Sequence, residues 1–131
     1  MSETNLRKAL DIHLNNMSGA PAISWENKEF DQNNQIYLTQ FLLPAETISP
    51  GISIGSSDVL AGLYQVTVNV PKGADKATYL AETEKVKARF FKGLRLIEGS
   101  TAIVIHKVWT NAALTDDNYY RVPISIRYRG L

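Results

Sequence analysis

The sequence predicts an α+β fold: a mostly antiparallel sheet with two amphipathic helices packed on one of its faces. Three observations lead there. Residues 2–16 and 75–92 repeat apolar side chains at spacings of three and four, the period of a helix with one buried stripe. Residues 63–70 and 119–128 alternate apolar and polar side chains, the period of a strand with one buried face. Strands that follow one another along the chain favour antiparallel pairing, and two helical stripes need a sheet face to cover. The length of 131 residues fits one domain, residues 1–131, which can bury roughly two thirds of its unfolded surface without a disulfide or metal.

In order, residues 2–16 place Leu6, Ala9, Leu10, His13, Leu14 and Met17 on one helical stripe, with Ser2 or Thr4 as cap and Gly19 and Pro21 as stop. Residues 22–26 are a short strand. Residues 36–43 are a stronger one, rich in aromatic and branched side chains and stopped by Pro44. Residues 45–61 hold two glycines, Pro50, several serines and scattered isoleucines, and read as a long loop. In residues 63–70, Tyr64, Val66, Val68 and Val70 share one face; Gln65, Thr67 and Asn69 share the other. Pro71 and Gly73 turn the chain into the second helix, whose buried face holds Tyr79, Leu80, Thr83, Val86 and Phe90 and which ends at Gly93. A strand over residues 100–109, a loop over 110–118 and a last strand over 119–128 follow. The last strand sets Tyr120, Val122, Ile124, Ile126 and Tyr128 on one face. The expected core is Leu10, Leu14, Tyr64, Val66, Val68, Leu80, Val86, Phe90, Val104, Ile124 and Ile126.

The composition argues against most chemistries. A formal charge of +1 gives no reason to expect nucleic acid or an anionic membrane as partner. The absence of cysteine removes disulfides, thiolate nucleophiles and cysteine zinc sites. The first ten residues lack the apolar core of a signal peptide, and no stretch approaches the ~20 apolar residues of a membrane span. His13 and His106 are the only histidines, and neither has a second ligand at metal spacing, so both read as structural. Asp116-Asp117 reads as a solvated turn, and Glu82 and Glu84 face different directions on their helix. Gly51 and Gly55 lack the lysine of a phosphate loop, and no serine sits in a nucleophile elbow. Lys85, Lys87, Arg89, Lys92 and Arg95 suit the negative end of a helix dipole, as a solvated face. No catalytic residue, metal ligand or cofactor site is expected.

An ordered series of segments carries a resemblance. Residues 19–27, Gly-Ala-Pro-Ala-Ile-Ser-Trp-Glu-Asn, follow the first helix. Tyr37-Leu38 and Leu43-Pro44-Ala45 come next, then residues 62–68, Gly-Leu-Tyr-Gln-Val-Thr-Val, with Pro71 and Gly73. Residues 120–128, Tyr-Arg-Val-Pro-Ile-Ser-Ile-Arg-Tyr, close the chain. In this order and at this length, the series resembles the small tail-terminator-like proteins of tailed bacteriophages and prophages. The resemblance implies a structural virion protein that caps the head-proximal end of the tail tube, stops tube polymerisation and provides the head-joining surface. It implies a ring-shaped homo-oligomer, a hexamer, with the tail-tube protein and a head-completion or neck protein as partners. It places the protein in the host cytoplasm during assembly and then in the virion tail. Another head–tail joining protein is the nearest alternative; a small hydrolase or a DNA-binding protein is more remote.

The resemblance brings no catalytic residues, and the residues themselves suggest where subunits meet. Ile48, Ile52 and Ile54 in the long loop are costly to leave wet unless a partner covers them. Arg121, Arg127 and Arg129 lie on the polar face of the last strand, within reach of acids such as Asp58, Asp116 or Asp117 on a neighbour.

Overall fold

The computed structural model describes residues 3–17, 21–24, 35–43, 46–48, 59–73, 76–115 and 118–130. Their order is α1 (Glu3–Asn15), β1 (Ala22–Ser24), β2 (Tyr37–Leu42), β3 (Glu46–Ile48), β4 (Val59–Pro71), α2 (Lys76–Arg89), β5 (Arg95–Glu98), β6 (Thr101–Thr110), β7 (Leu114–Thr115) and β8 (Tyr119–Gly130). The fold is α+β. All eight strands join one mixed sheet, ordered β1-β2-β4-β8-β6-β5, with β3 added to β4 and β7 to β8. β1 and β2 run parallel; the other pairs are antiparallel.

The two long strands form the spine. β4 and β8 stay in register from Ala61 opposite Arg129 to Pro71 opposite Tyr119. Their alternating apolar residues therefore meet directly, Tyr64 with Ile126, Val66 with Ile124 and Val68 with Val122. β2 continues this face through Leu38 and Leu42. Against it α1 buries Leu6, Leu10 and Leu14, and Val86 of α2 and the adjoining Phe90 join the same cluster. Pro123 sits within β8 where its second edge is free to do without a donor. β6 pairs with β8 as far as Ile124, and β7 takes over at Arg121.

The helices are also tied to each other and to the sheet. Arg89 Nε donates to the carbonyl of His13 at 2.9 Å, and His13 Nε2 lies 2.7 Å from the carbonyl of Arg89. The His13 ring meets Phe90 edge-on at 5.0 Å. Tyr64, fully buried in the sheet, donates its hydroxyl to Asp11 of α1 at 2.6 Å.

Several expectations need correction. The long loop over residues 45–61 is in part sheet: Glu46, Thr47 and Ile48 pair with Ala61, Leu60 and Val59, so both its ends belong to strands. β5 precedes the strand expected over residues 100–109. It forms a hairpin with β6 through Gly99 and Ser100, and Gly99 has φ +60°, a left-handed conformation that glycine adopts cheaply. Val104 is half-buried and faces away from the helices; Ile103 and Ile105 are the buried pair. The reason is a bulge at His106, which shifts the pairing between Ile105 and Lys107 and returns Val108 to the helix side. Leu80 is exposed, because the buried stripe of α2 runs through Tyr79, Thr83, Val86 and Phe90, and Leu80 lies about 100° round the helix from Tyr79.

Candidate functional site

The sheet face turned away from the helices is where charge collects. In β8 the residues that alternate with the core are Arg121, Pro123, Ser125, Arg127 and Arg129. Cross-strand pairing sets Arg129 beside Val104, which in turn pairs with Arg95, and sets Arg127 beside Lys107. Arg95, Lys107, Arg127 and Arg129 are all exposed, and the bulge adds His106 to the same end of the face. An open cleft of about 490 Å³ lies there, lined by Ala61, Gly62, Leu63, His106, Arg127, Tyr128 and Arg129. Among the described residues none of these four long cations has a carboxylate within 4.0 Å, whereas Lys8, Lys85 and Lys87 pair with Glu98, Glu82 and Glu84.

Trp109 anchors this cationic strip. Lys107 Nζ lies 5.3 Å and the Arg127 guanidinium 5.4 Å from the centre of its ring. The indole is fixed in turn, donating to Asn111 Oδ1 at 3.0 Å, while the Asn111 amide donates to Ser125 Oγ at 2.6 Å. The half-buried tryptophan is thus held by a hydrogen bond and flanked by two cations at cation–π distance.

Arg121, at the other end of β8, has a different environment. Its Nη1 donates to Asn69 Oδ1 at 2.7 Å and to the Tyr37 hydroxyl at 2.9 Å, and its guanidinium lies 5.4 Å from the Tyr119 ring centre. Asn69 is fully buried, and its amide donates to the carbonyl of Tyr37 at 3.1 Å and that of Thr67 at 3.2 Å. Tyr37 and Tyr119 pack edge to face at 5.2 Å. This cluster clamps β2, β4 and β8 together. It went unseen in the sequence, although an asparagine in the middle of an apolar strand is a signal that a buried partner exists.

Of the interface residues expected from the sequence, Arg127 and Arg129 stand together on the cationic strip, and Arg121 is engaged within the chain. Ile48 belongs to β3. Ile52, Ile54, Asp58, Asp116 and Asp117 lie outside the described residues. The basic run at the end of α2 does not form one surface. Lys85 and Lys87 pair with glutamates one turn earlier, and Arg89 is bound to α1. Among the described residues no group of three His, Asp or Glu side chains converges as metal ligands would.

Comparison with known proteins completes the description. A family model described as phage tail terminator protein matches residues 5–128. One solved structure, which bears no functional description, aligns with 100% of this chain and 96% of its own at 25% identity, with a TM-score of 0.79. A chain in the virion of a native gene transfer agent particle aligns with 97% of this chain and 95% of its own at 16% identity, with a TM-score of 0.68, a likeness of fold. No curated protein matches.

Proposed function

The chain belongs to the phage tail terminator family, whose members are phage tail structural proteins, and on that premise we propose that it caps the head-proximal end of the tail tube. In this reading residues 1–131 act as one domain. Copies form a closed ring, a hexamer, that stops tube polymerisation and presents the surface to which a head-completion or neck protein joins. The protein works in the host cytoplasm during assembly and stays in the virion tail. No catalytic step and no cofactor enter.

The observation that carries the reading is the family match along nearly the whole chain. The cationic strip supports it. Four exposed long cations, two of them against the ring of Trp109, give a subunit a reason to bind protein, and a ring requires contacts between unlike patches of the same chain. Arg127 and Arg129 would meet acids such as Asp58, Asp116 or Asp117 of the next copy. Ile48, Ile52 and Ile54 would be covered on assembly. Arg121 would contribute by holding the sheet in shape. Charge pairs at a rim mainly fix register, so the isolated protein would stay monomeric in dilute, salty buffer.

Labelling the protein and mixing it with purified, head-free tail tubes tests the proposal. Label at one end of each tube is expected. Label that appears only when head connectors are supplied would make it a neck protein instead.

A further inference from the structure

The formal charge of +1 is a sum over the chain and hides a separation of charge. Among the described side chains every acid, Asp11, Glu82, Glu84 and Glu98, belongs to a helix or pairs with one, Glu98 with Lys8 of α1. The opposite sheet face holds Arg95, Lys107, Arg127 and Arg129, all exposed. Strand geometry sets their backbone spacing. Arg127 and Arg129, two residues apart on β8, stand about 7 Å from each other; Lys107 lies one strand, about 5 Å, from Arg127, and Arg95 lies two strands, about 10 Å, from Arg129. Four positive charges on so small a patch repel one another, and an anionic partner relieves that repulsion.

The density of charge points to the kind of anion. An extended acidic segment turns every second side chain to one side, so it offers one carboxylate per about 7 Å. A DNA duplex carries one phosphate per about 1.7 Å of its axis. The strip matches the second. Its shape agrees: the cleft of about 490 Å³ beside Arg127 and Arg129 is open, and two of its lining residues, Ala61 and Gly62, have little or no side chain to obstruct a backbone. Trp109 holds Lys107 and Arg127 at cation–π distance, so its ring serves the cations rather than a base. We propose that Arg95, Lys107, Arg127 and Arg129 bind the phosphate backbone of double-stranded DNA without reading its sequence. The inference goes beyond the tail-cap reading, which gives partners to Arg127 and Arg129 only and leaves Arg95 and Lys107 without one. Acids of a neighbouring protein are the competing occupant, and the experiment separates the two.

Fluorescence anisotropy of the full chain with short labelled duplexes of two unrelated sequences is the test. Equal affinity for both is expected. The logarithm of that affinity should fall with the logarithm of salt concentration with a slope of about −3 to −4, as four phosphate contacts require. Arg95→Gln and Lys107→Gln should each weaken binding roughly fivefold to tenfold and reduce the slope by about 1, alike for both sequences. Both side chains are exposed, so the melting temperatures should match the wild type. Lys85→Gln, on α2, should leave binding unchanged. No binding at low salt, or full DNA affinity in Arg95→Gln and Lys107→Gln, would overturn the inference. Poly-glutamate that binds the strip more tightly than the duplex does would overturn it too, and would give the strip to a protein partner. A wild type that binds DNA but leaves tail tubes uncapped would remove the cap reading and leave this inference in place.

Discussion

Arg121 and Arg127 share a strand and a face, yet one is tied into a buried hydrogen-bond cluster and the other is exposed against Trp109. Arg121 donates to buried Asn69 and to Tyr37, so truncating it strands polar groups inside the protein. Arg121→Ala should cost about 1.5–3 kcal/mol in chemical denaturation. Arg127→Glu, on an exposed side chain, should shift stability by no more than about 0.5 kcal/mol while weakening assembly on tubes. Equal stability losses in the two variants would contradict this division. The strand period places both arginines on the polar face, but period says nothing about what lies opposite a side chain, so their difference was not legible in the sequence.

His13 makes a further residue-scale prediction. Burial holds its pKa below the usual 6.5; the hydrogen bond to the Arg89 carbonyl opposes this, and the positive charge of Arg89 adds to the lowering. The folded state thus binds a proton less readily than the unfolded chain. The stability this provides is complete above about pH 6.5 and is lost as pH falls through the lowered folded value. Between about pH 7.5 and about pH 5, the melting temperature of the wild type should fall more steeply than that of His13→Gln. Parallel curves would show that His13 titrates alike in both states.

At the scale of elements, periodicity was a good guide where it was clean. β4 and β8 alternate without interruption and pair face to face as their patterns imply. α1 buries the leucines its stripe predicts. Phe90, just beyond α2, touches both His13 and Tyr64, so Phe90→Ala should cost about 3–5 kcal/mol. Where the pattern breaks, the reading fails for a physical reason. Ile103, Val104 and Ile105 are all β-branched and carry no phase of their own, and the bulge at His106 reverses the phase that Val108 suggests. β5 has four residues, too few to show a period, although Gly99-Ser100 between two short runs is a hairpin signal. A Cβ on Gly99 would lie 3.0 Å from the Asn5 amide, and the backbone there is left-handed. Gly99→Val should therefore lower stability by about 1–3 kcal/mol and Gly99→Asn by less, as measured by thermal melting. Equal losses would mean that the turn does not need its left-handed residue.

The molecule as a whole combines a rigid side and an open side. Residues of both helices share one core cluster with the strands, and a clasp between Arg89 and His13 ties the helices together. The other face keeps its exposed cations and an anchored tryptophan. The family match makes the chain a phage tail structural protein. The α+β class was legible in the sequence, as was the polar face of β8. The cationic surface was not, because it is composed across β4, β5, β6 and β8 by register, and register depends on a bulge that no local pattern announces. The measurement that tests the central claim most directly is the length distribution of tail tubes polymerised from purified subunits with and without this protein. Tubes that stop growing, with a ring at one end, are the predicted result. Tubes that grow equally long in both cases, with bare ends, would contradict it.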